Sequence, residues 1–157
     1  MSSLRTYPRG LYFDEFEAGQ KITSVGRTVT ESDVVRFAGL SGDFNQIHTD
    51  AEYCKDTPFK ERVAHGLLVL SIASGLAVQT GVLEGTIIAF REISELKFIK
   101  PVYIGDTIHV ELIVTQTKAL PRLGGGIIFI ELDVLNQEND TVMKGEWKVL
   151  VAGKANL

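Results

Sequence analysis

Cysteine is nearly absent from this chain of 157 residues: Cys54 stands alone. One thiol cannot close an internal disulfide, which excludes a cystine-stapled scaffold and leads us to expect a reducing, cytoplasmic setting. Tyr53, Lys55 and Asp56 surround it without a histidine at nucleophile spacing, so it is expected to be a half-buried structural thiol. Excess positive charge is also missing. The 16 Lys and Arg are outnumbered by 20 Asp and Glu, for a net charge of −4, which argues against a general nucleic-acid binder. There is no long hydrophobic run. The longest apolar stretch, around Gly66–Val78, is interrupted by Ser71, Ser74 and Gly75 and is too short to cross a bilayer. The first ten residues, MSSLRTYPRG, lack the apolar core of a signal peptide. A soluble protein with no membrane partner is expected. Repeats, linkers and low-complexity segments are lacking too, so residues 1–157 read as a single domain. What is present is enough apolar residue, 45%, to bury a core without staples.

The chain divides into a helical front and a stranded back. After an irregular start broken by Pro8, Gly10 and Gly19, a short strand is expected near 21–29. Thr30 with Asp33 three residues on has the form of a capping box, opening a helix that ends near Leu40. Ser41-Gly42-Asp43-Phe44-Asn45-Gln46 is turn chemistry, and Asp50 caps a short helix over 51–55 that Thr57-Pro58 terminates. Gly66 to Thr80 is apolar on nearly every side, which predicts a helix buried all round, with Gly81 ending it. Ile87–Ile99, Thr107–Thr117, Gly126–Leu135 and Thr141–Val151 are rich in β-branched and aromatic residues and separated by Pro, Gly and Asn turns. Ile108, Val110 and Leu112 alternate with more polar neighbours, so one sheet face is apolar. The order predicts an α+β fold: an antiparallel sheet curled around one central apolar helix, with a free edge that favours pairing with a second subunit.

Three places carry candidate chemistry. Asp43 and His48 lie five apart on a loop that can turn both side chains to one point. A carboxylate beside an imidazole can hold a water, remove its proton and return one elsewhere. Taken alone, the same residues also fit a capping Asp and a surface His. His65-Gly66 opens the apolar helix, where the first N–H groups lack partners and the dipole favours negative charge. The Gly66 amide could stabilise an enolate-like oxygen, or the glycine could serve tight packing only. Ser74 on the same helix either faces a pocket or bonds back to a carbonyl one turn earlier.

Together these segments resemble a family. Ser41-Gly42-Asp43-Phe44-Asn45-Gln46-Ile47-His48-Thr49-Asp50, then Val63-Ala64-His65-Gly66-Leu67-Leu68, then Phe98-Ile99-Lys100-Pro101-Val102-Tyr103-Ile104-Gly105-Asp106-Thr107 resemble the MaoC-like R-specific enoyl-CoA hydratases, over roughly residues 12–150. The resemblance implies a hot-dog fold, a homodimer or larger homo-oligomer, and addition of water across the Cα=Cβ bond of a trans-2-enoyl-CoA to give the R-3-hydroxyacyl-CoA, or the reverse. It implies that Asp43 and His48 are the catalytic pair, that Asn45 organises their loop, that Gly66 supplies the oxyanion amide and that Ser74 is a pocket serine. Which of the pair is base and which acid stays open. Gln46 departs from the pattern, since a proline usually follows the asparagine.

No metal or redox cofactor is needed for such a reaction, coenzyme A being part of the acyl-CoA thioester substrate. Its phosphates call for cations, and Lys60, Arg62, Lys97, Lys100 and Arg122 are the candidates. Two other readings share the fold. A hot-dog thioesterase usually carries a carboxylate on or beside the central helix, whereas 66–80 contains no Asp or Glu. A non-catalytic acyl-CoA-binding module would not need both Asp43 and His48.

Overall fold

The computed structural model describes residues 10–154. The alternating back half forms three long strands, β4 (Thr107–Leu120), β5 (Gly125–Leu135) and β6 (Thr141–Ala152). Period-2 alternation puts Ile108, Val110, Leu112 and Val114 on one face of β4, all fully buried. The antiparallel register sets Val110 opposite Val134, Leu112 opposite Leu132 and Val114 opposite Ile130. Apolar cross-strand pairs of this kind hold the sheet register, because a one-residue slip would turn every one of them to the other face.

Two short strands, β1 (Lys21–Thr23) and β2 (Arg27–Thr28), pair with β4, and β3 (Ile87–Phe98) pairs with β6. The sheet order is β1-β4-β5-β6-β3, antiparallel throughout. The single strand expected near 21–29 is therefore two. The break falls at Ser24, whose Oγ accepts the Val110 N–H at 2.9 Å in place of a ladder carbonyl.

Helix α1 (Glu31–Ser41) begins at the expected capping box. Thr30 Oγ1 accepts from Asp33 N–H at 3.2 Å, and Asp33 Oδ2 accepts from Thr30 N–H at 2.9 Å. It stops at Gly42, left-handed at φ 78°, a conformation that glycine adopts at little cost. The turn that follows holds one helical turn, α2 (Gln46–Thr49), and Asp50 caps α3 (Ala51–Cys54) through Tyr53 N–H at 2.9 Å. Cys54 is fully rather than half buried, with Sγ 3.4 Å from the Ile47 carbonyl oxygen.

Helix α4 (Gly66–Gln79) packs on one face of the sheet. Leu68, Val69, Ile72, Ala73, Leu76 and Ala77 are buried in the core shared with the strands. The expectation of burial on all sides does not hold within one chain: Leu67 is 59% and Val78 46% exposed, and Ser71, Ser74 and Gly75 share this open side. Only one side of α4 meets the sheet, so its stripe of small and apolar residues faces outward. Strand β3 is an edge with the same character, exposing Ile87, Ile88, Phe90, Ile93 and Phe98.

Candidate active site

The loop between α1 and α2 is built from its own side chains. Ser41 Oγ donates to the Phe37 carbonyl at 2.7 Å and accepts the Asp43 N–H at 3.1 Å. Asp43 Oδ1 accepts the Asn45 N–H at 3.2 Å, and Asn45 Oδ1 accepts the Ile47 N–H at 3.3 Å, capping α2. Asn45 thus shapes the loop with its side chain and ties the Asp43 carboxylate with its N–H. The other oxygen of Asp43, Oδ2, turns toward His48 and lies 3.9 Å from its Nε2. Asp43 is half exposed; His48 is buried.

The segment 62–64 holds His48 from the other side. Val63 N–H donates to the Ile47 carbonyl at 3.1 Å, and the Val63 carbonyl in turn accepts from His48 Nδ1 at 2.7 Å. A carbonyl only accepts, so Nδ1 carries the hydrogen and Nε2 presents a lone pair toward Asp43. Arg62 Nε donates to the His48 carbonyl at 2.7 Å while its fork grips Glu31 at 2.9 Å twice. Burial pushes the His48 imidazole below its ordinary pKa. The bond to the Val63 carbonyl opposes that, His65 adds to it, and the Asp43 carboxylate opposes it again.

Gly66 is the first residue of α4, so its N–H has no carbonyl within the helix to meet. Gly66 and His48 both line a cavity of ≈ 470 Å³ walled mainly by Phe59, Val63, Leu67, Phe98 and Met143. The Phe98 ring lies against Gly66 so closely that a Cβ there would stand 2.6 Å from Cε1. An apolar cavity with a few polar groups at one end is the usual form of a small-molecule site.

Sequence reasoning missed one member of this group. His65, the residue before Gly66, donates through Nε2 to the Asp43 carbonyl at 2.9 Å, and its ring stacks on His48 with centroids 3.8 Å apart. A histidine at the N-cap of α4, with no oxygen to cap the helix, was the available signal. Donor atoms of Asp43, His48 and His65 lie within 4.8 Å of one another. The two rings stack only 28° from parallel, which keeps their in-plane lone pairs in separate planes, a poor basis for holding a metal.

Ser74 is not brought to this group. It sits two turns along α4 on the open side, and its Oγ donates to the Ser71 carbonyl at 2.8 Å. Of the five candidate cations only Lys100 lines the cavity, where it pairs with Asp140 at 2.8 Å. Arg62 is committed to Glu31 and His48, Lys60 to the Lys55 carbonyl and Lys97 to Glu95; Arg122 lies in the turn after β4.

The family model for the MaoC like domain matches residues 15–124, which include Asp43, Asn45, His48, His65 and Gly66. The chain belongs to the MaoC-like family. Its fold is accordingly the hot-dog fold, a sheet wrapped around the central helix. This MaoC-like domain is 43% identical over 108 residues to Protein MaoC of Klebsiella aerogenes, covering 69% of this chain and 32% of that one. It therefore spans about a third of that relative's length. It is 41% identical over 104 residues to an (R)-specific enoyl-CoA hydratase of Rhodospirillum rubrum, covering 66% of this chain and 69% of the other. Among solved structures, an Archaeoglobus monoamine oxidase regulatory protein superposes with a TM-score of 0.85 at 36% identity, covering 92% of this chain and 96% of that one.

Gln46 occupies the first position of α2, directly after its cap Asn45, whose ψ of 137° is extended. Proline is favoured at that helix position, where the N–H it lacks has no intrahelical partner, and the residue before it must be extended. Gln46→Pro is therefore expected to stabilise the MaoC-like domain by about 0.4–1 kcal/mol through the unfolded chain, read as a higher urea midpoint at unchanged slope. A lower midpoint would show that the Gln46 N–H has work to do in the folded loop.

Proposed function

We propose that this domain is an R-specific enoyl-CoA hydratase/dehydratase, with Asp43 and His48 as its catalytic pair. The observation that carries the reading is the pairing of a tautomer-fixed His48 Nε2 with Asp43 Oδ2 across 3.9 Å, with His48 and the first residue of α4, Gly66, lining one apolar cavity. That gap is too long for a direct hydrogen bond, but a single water about 2.8 Å from each group bridges it. Asp43 orients the water and His48 Nε2 accepts its proton as the oxygen bonds to Cβ. The Cα=Cβ electrons move toward the thioester carbonyl, giving an enolate-like oxygen that the Gly66 N–H meets. The imidazolium then returns the proton to Cα from the same face, so the addition is syn and His48 ends as it began. One oxyanion donor is worth about 3 kcal/mol of barrier.

The R configuration rests on the Rhodospirillum relative named for it. Coenzyme A is part of the substrate and no further cofactor is required. A thioesterase reading has no support in α4, which carries no carboxylate. The regulatory name of the Archaeoglobus neighbour favours a non-enzymatic alternative. Turnover decides between them: crotonyl-CoA should lose its enoyl absorbance and yield the R-3-hydroxy product without releasing free thiol. Asp43→Asn and His48→Ala should each lower kcat/KM by about 10²–10⁴-fold with unchanged circular dichroism. Full activity in either variant removes that residue from the mechanism.

Hydration needs His48 neutral. Because its folded pKa is depressed, the fraction in the basic form stays high as pH falls through the ordinary imidazole value of 6.5. The acid limb of kcat/KM is thus expected below that value, and a limb above it would contradict the buried base.

The open side of α4 and the apolar β3 edge are proposed to meet a second copy, making a homodimer or larger homo-oligomer. Ile88→Lys, on the exposed edge at 51% exposure, should shift the sedimentation profile toward monomer. An unchanged assembly would place the contact elsewhere.

A further inference from the structure

His65 is almost entirely buried, at 2% exposure, and occupies the N-cap of α4 without capping it. Its Nε2 instead reaches the main-chain oxygen of Asp43 at 2.9 Å. That oxygen only accepts, so Nε2 carries the hydrogen and Nδ1 is left as a lone pair, buried and without a hydrogen-bond partner. The same ring covers one face of His48, with Phe37 tilted against it at 4.9 Å.

We infer that His65 is a positioning residue for the catalytic pair: its hydrogen bond fixes the main chain of Asp43 while its ring holds the face of His48. The inference rests on the hydratase reading and adds to it a third residue, which acts through the other two. Asp43 needs such a tie. Its carboxylate is half exposed, and its Oδ1 contact, to Asn45 N–H, lies within the same loop. The other polar partners described for Asp43, namely Ser41, Asn45 and His48, all lie within five residues of it, whereas His65 reaches it across 22 residues from the start of α4.

The two halves of the role separate by substitution. His65→Phe keeps a ring and loses the donor, whereas His65→Gln keeps an amide donor and loses the ring. Displacing a reacting group by about 1 Å costs on the order of 10²-fold. His65→Phe should therefore lower kcat by about tenfold to a hundredfold, with KM within about threefold, and move the acid limb upward by less than His65→Gln does, since it loses the charge effect of His65 on His48 but keeps the covering ring. His65→Gln should keep more of kcat, and its acid limb should move upward as water regains the uncovered face of His48. The charged or titratable groups around His48 are Asp43 from the loop, His65 from α4, and Arg62 with its partner Glu31, and neither substitution touches the other three.

Histidine nitrogen NMR of His48 across pH, in the wild type and both variants, reads the same shift without turnover. The expected result is a larger upward displacement of the titration in His65→Gln than in His65→Phe. Wild-type kcat in His65→Phe would overturn the inference. So would equal losses in both variants with the His48 titration unmoved, the pattern of a merely structural residue. If the wild type fails to hydrate any of a panel of enoyl-CoAs, the hydratase reading falls by itself, while the NMR arm still reports whether His65 governs His48.

Discussion

The bond from His48 Nδ1 to the Val63 carbonyl is the contact on which the site depends. It decides which nitrogen of the imidazole is bare, and with that which atom faces Asp43. The bond is only as firm as its acceptor, and Val63 is well held. Its N–H bonds to the Ile47 carbonyl, it pairs with Tyr103, and the next residue, Ala64, donates to Val102 at 2.8 Å. Tyr103 is fixed in turn through its N–H to Asp106 Oδ2 at 2.8 Å and its hydroxyl to the Phe59 carbonyl at 3.1 Å. A chain of hydrogen bonds, main-chain and side-chain, thus runs from the turn before β4 to the imidazole. Charge pairs with solvent-exposed members, such as Lys100 with Asp140, add little beside it.

Much of the fold was legible because local rules and tertiary packing agree there. The Thr30–Asp33 box forms as read, since both partners lie within one turn and need nothing from elsewhere. The alternation at Ile108, Val110 and Leu112 marks the buried face of β4 because one side of the sheet meets the core. The division of the first strand into β1 and β2 was not legible. It depends on Ser24 Oγ meeting an amide 86 residues away, and sequence near position 24 carries no trace of Val110.

The site was legible in part for a similar reason. Asp43, Asn45 and His48 are close in sequence and rich in turn chemistry, so their convergence could be read from spacing. His65 could not, because its hydrogen bond to Asp43 spans 22 residues and its stacking on His48 depends on how α4 enters the fold. Ser74 shows the opposite case. Its bond to the Ser71 carbonyl is local, and the helix surface it occupies is open in a single chain. Arg62, expected among the cations for a phosphate, is occupied by Glu31 and by the main chain of His48, a use that appears only when α1 and the 60–63 segment meet.

The sealing of Cys54 has a consequence for chemical durability. Its sulfur lies at zero exposure against the Gln46 and Ile47 carbonyls, under the same short helix that carries His48. Exchange with a disulfide requires open approach of the sulfur along the S–S axis, and this burial denies it. The one thiol is thus shielded from exchange with small disulfides, and the loop above it is kept undistorted.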